Sequence, residues 1–178
     1  INKNLDSLRL SNIDQSLGIS HRFQDNYSND IKFQNTALEL ETKSKNIDSL
    51  RLSNTYANLG RIHFSQGNLL EAIENYEKSV DINEKKSGIE SVKGAHTYCE
   101  LGEAYTYYGN YPKAMYNYNL ALEKFTSYLG LEHRFVADVY DGFAKVLMKE
   151  RKFAEAKEYI IKAIQIYKNN YDTEHFSI

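Results

Sequence analysis

The ten residues KNLDSLRLSN, from Lys3 to Asn12, return as KNIDSLRLSN from Lys45 to Asn54, with one substitution between the two copies. The chain therefore repeats itself with a period of 42 residues, and this period continues to its end. It separates Leu17-Gly18, Leu59-Gly60 and Leu101-Gly102, and likewise Ala72, Ala114 and Ala156. A fixed period of this size is typical of stacked arrays, because one such unit cannot bury its own apolar face. We therefore expect an array of about four units.

The composition narrows the class of protein. A net charge of -2 and a pI near 6.2 provide no overall positive field for a phosphate backbone, so nucleic acid is not the expected partner. Cys99 is the single cysteine, which excludes an intramolecular disulfide and suits a reducing compartment. No apolar run approaches the ~18 residues of a membrane span, and no signal-peptide pattern opens the chain. We expect a soluble, cytoplasmic protein that binds neither nucleic acid nor membrane.

The apolar spacing within each unit is that of amphipathic helices. Apolar residues recur at steps of three and four, as at Leu52, Tyr56 and Leu59, and no long stretch alternates with a period of two. Gly67 and Gly109 lie one period apart, between such stretches. Each unit is therefore predicted to be two antiparallel helices joined by a tight turn, with small residues where the helix axes cross closely. The predicted crossings are at Gly60, Gly102, Ala72, Ala114 and Ala156.

The repeating residues resemble the tetratricopeptide repeat (TPR), whose pattern runs aromatic-x2-Leu-Gly-x2-Tyr and then Ala-x3-aromatic. Unit three matches it best, with Tyr98-x2-Leu101-Gly102-x2-Tyr105 followed by Ala114-x3-Tyr118. Unit one is degenerate, since Asp30 and Gln34 stand in the Ala and aromatic positions. The resemblance implies an all-α fold, a right-handed superhelical solenoid of antiparallel helix pairs. It implies a single array over residues 1–178, with units at about 11–44, 53–86, 95–128 and 137–170 and a further, truncated unit starting at 171–178.

Two departures from the usual repeat refine this prediction. The period is 42 residues rather than the usual 34. The residues in the position of the usual helix-ending proline are Glu84, Thr126 and Lys168. The second helix of each unit is therefore predicted to run on by about two turns. The segment from Leu129 to Ala137 between long units is similar to kinesin light chain repeats, whereas the residues from Tyr56 to Gly60 suggest, as an alternative, the Leu-Gly-Asn type of cell-polarity adaptor.

The resemblance also implies a concave groove, formed by the first helix of each unit, in which a partner binds. Matched position by position, it assigns to this groove Asn54, Asn58, Arg61, Phe64, His96, Glu100, Glu103, Tyr107, Asp138, Asp141 and Lys145. The carboxylates crowd the second half of the array, which suits a partner segment that carries Lys or Arg. Asn58 is expected to hydrogen-bond an extended peptide backbone. The alternative is a solvated helix face that is simply charged.

One helical face allows a different chemistry. His96, Cys99, Glu100 and Glu103 stand at steps of three and four. These residue types can bind zinc, and a His–Cys pair can act in nucleophilic catalysis. One helical turn rarely closes a tetrahedral metal site, however, and the sequence contains no evident orienting residue or oxyanion hole. We therefore predict no metal, no cofactor and no enzymatic activity.

The sequence thus predicts a noncatalytic protein–protein interaction scaffold that binds a partner peptide or helix, as an adaptor segment of a larger protein. The alternative is a sensor or regulatory arm of a multidomain signalling protein, whose catalytic part lies outside this segment. The chain begins and ends within the repeat, so we expect it to be part of a longer protein. The sequence next to the array distinguishes the two hypotheses, because a neighbouring kinase, nucleotide-binding module or coiled coil would change the role.

Overall fold

The computed structural model describes residues 27–43, 49–87 and 92–175. Within these ranges all secondary structure is α-helical, which confirms the predicted all-α fold. The helices are α1 (Tyr27–Lys43), α2 (Ser49–Ser65), α3 (Leu69–Ser87), α4 (Val92–Tyr108), α5 (Tyr111–Leu129), α6 (Arg134–Lys149) and α7 (Phe153–His175). None of these helices combines the length and hydrophobicity needed to cross a bilayer. The first helix predicted for unit one lies outside the described residues.

The chain divides into two compact units, residues 1–89 and 90–178. In the first unit α2 packs against α3, and α1 packs against α2. In the second unit α4 pairs with α5 and α6 pairs with α7, while α4 and α5 both contact α6. Consecutive helices therefore pair within each unit, as the repeat pattern predicts.

The turn inside each helix pair has one geometry, set by a residue with positive φ. Gly67 (φ 78°) follows α2, Gly109 (88°) follows α4 and Arg151 (63°) follows α6. After α4 the N–H of Asn110 donates to the carbonyl of Tyr105 at 2.9 Å, and the same bond recurs after α2 and α6 at 2.9 and 2.8 Å. This is a Schellman-type helix end, which requires a left-handed residue and therefore favours glycine.

The additional residues of the long repeat are shared between both helices of a unit. α3 ends at Ser87 and α5 at Leu129, less than one turn beyond Glu84 and Thr126. The predicted two-turn extension is therefore wrong for these two helices, and only α7, which reaches His175, runs on that far. The first helices lengthen instead, since α4 and α6 begin before the predicted unit boundaries at 95 and 137. Helices of matched length can bury their apolar faces along the whole pair.

Small residues lie at the predicted helix crossings. The most buried of them are Ala72, Ala114 and Ala156, each no more than 1% exposed. A Cβ added to Gly60 would lie 2.6 Å from the Tyr76 ring, and one added to Gly102 would lie 3.0 Å from the Tyr118 ring. A larger residue would push the paired helices apart. The predicted close crossings are therefore confirmed.

Polar contacts help to join α1 to α2 in the first unit. Glu41 of α1 is only 4% exposed and accepts a hydrogen bond from the Thr55 hydroxyl of α2 at 2.8 Å. Arg51 Nε lies 3.6 Å from the other carboxylate oxygen of Glu41. Asp30 and Gln34 are also fully buried on α1. The degenerate repeat thus keeps its packed face but builds part of it from polar side chains, which require partners when buried.

Candidate partner-binding site

The four carboxylates predicted for the second half of the groove lie in one cleft between α4 and α6. This acidic cleft has a volume of about 210 Å³ and is lined by Cys99, Glu100, Glu103, Tyr118, Asp138, Asp141, Gly142 and Lys145. Helical spacing explains the clustering, because each helix contributes two carboxylates three residues apart, which places both on one face. Sequence spacing alone indicates each pair, and the packing of α4 against α6 brings the pairs together.

The aromatic ring of Tyr118, from α5, forms part of the cleft wall because two glycines leave room for it. A Cβ added to Gly142 would lie 2.4 Å from this ring, and one added to Gly102 would lie 3.0 Å from it. The ring also stacks edge-on against Phe143, with centroids 5.8 Å apart. Burial raises the pKa of Tyr118, so its hydroxyl remains protonated at physiological pH. Sequence analysis placed Tyr118 in the core, and its contribution to the cleft depends on the neighbouring helix α6.

Lys145 is the one cation among the residues that line the cleft. Its Nζ lies 2.9 Å from Asp141 and 3.9 Å from Glu103. Burial lowers the pKa of Lys145, but the hydrogen bond to Asp141 and the charges of Asp141 and Glu103 outweigh burial, so the pKa is raised. The ammonium group therefore offsets part of the negative charge, and the cleft as a whole remains negative.

Cys99 lines the cleft as a neutral thiol. Burial, reinforced by the charges of Asp138, Glu100 and Glu103, raises its pKa. Because the thiolate is the nucleophile and the metal ligand, this environment disfavours both chemistries. In the described part of the chain no group of three or more His, Cys, Asp or Glu residues has a metal-binding arrangement.

His96 and Tyr107 lie outside the residues that line the acidic cleft. The His96 ring packs edge-on against Phe135 and Phe125, with centroids 4.2 and 5.0 Å apart. It therefore contributes to an aromatic cluster between α4, α5 and α6. Tyr107 is 58% exposed and close enough to Lys145 to act on the pKa of that residue.

Asp138 makes a contact that sequence analysis did not predict. Its carboxylate accepts a hydrogen bond from the hydroxyl of Tyr167 on α7. The two residues are 29 positions apart, so no local spacing indicates the contact. The exposed Asp138 is thus oriented by the helix paired with its own.

The remaining predicted groove residues lie on α2, in the first compact unit. Asn54, Arg61 and Phe64 are half-buried. Asn58 is only 8% exposed, and its amide oxygen accepts a hydrogen bond from Arg61 Nη1 at 2.7 Å. That oxygen is therefore engaged within the chain, and peptide binding by Asn58 would use its N–H groups.

Comparison with known proteins follows the same repeat boundaries. A model of the tetratricopeptide repeat matches residues 9–85 and 51–127, and a second model of this repeat matches residues 137–170. A search of curated proteins finds no match. Together the two models account for more than half of the chain.

Solved structures with the same fold include proteins related to kinesin light chains. BtubC (BKLC) from P. vanneervenii is 18% identical, with a TM-score of 0.80 over 93% of this chain and 72% of that one. A putative kinesin light chain of Podosopora anserina with TPR-like repeats is 17% identical, with a TM-score of 0.74 over 89% and 75% of the two chains. The apo form of RapI is 20% identical, with a TM-score of 0.81 over 94% of this chain and 59% of that one. The long units indeed resemble kinesin light chain repeats, and the chain belongs to the tetratricopeptide repeat family.

Proposed function

We propose that this chain is a protein-interaction scaffold and that its acidic cleft binds a basic segment of a partner protein. The repeat family supports the general role, since stacked helical repeats present extended surfaces for other proteins. The observation that carries the specific proposal is the concentration of four carboxylates and one lysine around a single cleft.

The size of the cleft favours one anchoring side chain of a peptide. Its volume of about 210 Å³ is below the ~300–1,000 Å³ of pockets that hold small organic ligands. The Tyr118 ring and Gly142 offer an apolar wall for the methylene stem of a Lys or Arg, and the carboxylates surround its charged end. Arg is the better fit, because its planar guanidinium can donate to two carboxylates at once.

The test uses a fluorescein-labelled nonapeptide with a central Arg-Lys pair, and a second nonapeptide with Glu-Glu at the same positions. The double variant Glu103→Gln/Asp141→Asn removes two charges from the cleft while keeping the shape of both side chains. Asp138 is left intact because it accepts the hydrogen bond of Tyr167. Fluorescence anisotropy should show that the variant binds the Arg-Lys peptide about tenfold more weakly.

The matched control is Glu123→Gln/Glu158→Gln, which removes two exposed carboxylates from α5 and α7 of the same compact unit. This control should bind the Arg-Lys peptide as the parent does, and helicity measured by circular dichroism should be unchanged in all three proteins. Equal loss of affinity in both double variants would mean that overall charge, rather than the cleft, attracts the peptide. Equal binding of the Arg-Lys and Glu-Glu peptides by the parent would contradict the proposal directly.

A further inference from the structure

One face of α7 carries large apolar side chains that are exposed in the described part of the chain. We call it the α7 stripe, and it consists of Phe153 (60% exposed), Ile160 (36%), Ile164 (46%) and Tyr167 (40%). These residues follow steps of three, four and seven, so they share one side of the helix. A contiguous exposed apolar face of this kind marks an interaction surface.

The same repeat positions on α5 are covered by a helix. Tyr118 and Phe125, one period before Ile160 and Tyr167, are only 3% and 1% exposed. Helix α6 covers both rings, as shown by the contact of Gly142 with Tyr118 and by the 5.2 Å between the Phe125 and Phe135 centroids. The α7 stripe therefore has the pattern of a surface that binds an antiparallel helix.

The α5–α6 contacts also fix which residues of a covering helix lie level with which residues of the covered one. Gly142 lies against Tyr118 and Phe135 against Phe125, so the two helices run in opposite directions one residue for one. In this register Lys145 is level with Met115, and Arg134 is level with Thr126.

Charge distinguishes the α7 stripe from its counterpart on α5. The residues one period after Met115 and Thr126 are Lys157 and Lys168, and both are exposed at the edge of the stripe. A covering helix with basic residues at those levels, such as α6, would repel α7 there. A suitable helix therefore needs negative charge at both levels.

We propose that the α7 stripe, together with Lys157 and Lys168, binds an amphipathic helix of a partner protein. The partner helix carries a small residue facing Ile160 and carboxylates facing the two lysines. This surface is separate from the acidic cleft and takes a partner of opposite charge.

A second copy of this chain is a poor occupant by the same register. Its first helices present, at the levels of Lys157 and Lys168, Arg61 and Leu50 from α2, Glu103 and Val92 from α4, and Lys145 and Arg134 from α6. None of these pairs provides two carboxylates. Two α7 stripes facing each other in antiparallel orientation would bring the lysines of one copy towards those of the other, which is unfavourable.

The experiment compares two labelled peptides with blocked ends. The first has the sequence of α6, residues 134–149, and the second is identical except for Arg134→Glu and Lys145→Glu. Fluorescence anisotropy with the full chain should show that the acidic peptide binds about tenfold more tightly, because two repulsive charge pairs become attractive. Added salt should reduce this difference.

Variants of the chain test the assignment of the surface. Lys157→Glu/Lys168→Glu should reverse the preference between the two peptides, and Lys93→Glu, an exposed change on α4, should leave it unaltered. Ile164→Asp should weaken both peptides at least about tenfold at unchanged helicity. The proposal is overturned if the parent binds both peptides equally, or if the lysine variant keeps the parent's preference. It is also overturned if light scattering shows a dimer that Ile164→Asp converts to a monomer, since the occupant would then be a second copy.

Discussion

At the scale of single residues, the repeat positions carry different chemistry where one unit departs from the others. The turn position is glycine after α2 and α4 but arginine after α6, although all three residues adopt positive φ. The backbone hydrogen bonds of the turn are the same in each case, so the turn geometry does not depend on the side chain. The cost of a left-handed residue is therefore concentrated at Arg151.

Replacing Arg151 by glycine should stabilise the second compact unit. Relief of the left-handed strain is worth about 1–2 kcal/mol, and the greater freedom of glycine in the unfolded chain offsets part of it, which leaves about 0.5–1 kcal/mol. Urea unfolding followed by circular dichroism measures the difference. Arg151→Ala is the control, because it removes the side chain and keeps the strain. Equal stability of the Gly and Ala variants would contradict this explanation.

The raised pKa of Cys99 predicts slow alkylation and a pH-dependent stability. At pH 8 iodoacetamide should modify the native chain at least about tenfold more slowly than the urea-unfolded chain, because the thiolate is the reactive form. The unfolded thiol loses its proton near pH ~8.5, whereas the native thiol retains it, so the free energy of unfolding should fall as the pH rises above ~8.5.

Cys99→Ala should lack this part of the pH dependence between pH 8 and 9.5, and this is measurable by urea unfolding at each pH. Rapid alkylation of the native chain at pH 8 would show that the thiol is neither buried nor influenced by the nearby carboxylates.

At the scale of helices, the first and second compact units join their elements by different means. Buried Glu41, held by Thr55 and close to Arg51, links α1 to α2. In the second unit, aromatic rings from α4, α5 and α6 pack together, including His96, Phe125 and Phe135. Polar links are more sensitive to single substitutions, because a buried acceptor that loses its donor also loses its solvation.

Thr55→Val should therefore destabilise the first unit by about 1–3 kcal/mol, since it keeps the shape and removes the donor to Glu41. The matched control is Thr97→Val, one period later. Thr97 is also buried, but its hydroxyl donates only to the Lys93 carbonyl of its own helix, at 3.3 Å. This control should cost less than about 0.5 kcal/mol. Equal losses in thermal or urea unfolding would mean that the hydrogen bond to Glu41 is not what distinguishes the two positions.

At the scale of the whole molecule, the net charge is small and the local charges are large. A chain with a net charge of -2 does not attract ligands strongly over long distances. Its acidic cleft and the lysines beside the α7 stripe are local features of opposite sign, which fall within the same compact unit. Screening over ~8 Å at physiological ionic strength keeps such features independent when they are further apart than that.

Lys145→Met should strengthen binding of the Arg-Lys nonapeptide by about three- to tenfold. Lys145 is an internal competitor, because its ammonium group already pairs with Asp141 and lies near Glu103. Met keeps a similar length and removes the charge, so the carboxylates can interact with the peptide instead. Lys149→Met, a neighbouring exposed lysine outside the cleft lining, is the control. Unchanged or weaker binding to the Lys145 variant would show that Lys145 does not compete with the peptide.

The sequence by itself determined the period, the helical character, the turn positions and the small residues at helix crossings. These features are local, or they recur at a constant spacing, so a single chain read in register reveals them. It also identified all four carboxylates of the acidic cleft, because residues three apart on a helix share a face.

Only the tertiary structure decided how these local features combine. The contribution of Tyr118 to the cleft depends on the packing of α6 over its ring, and the hydrogen bond from Tyr167 to Asp138 joins residues that no periodicity relates. The placement of His96 among aromatic rings, rather than in the cleft, likewise depends on which neighbouring helix supplies them. Contacts between helices depend on the distances and rotations of packed elements, and a linear spacing rule describes only one element at a time.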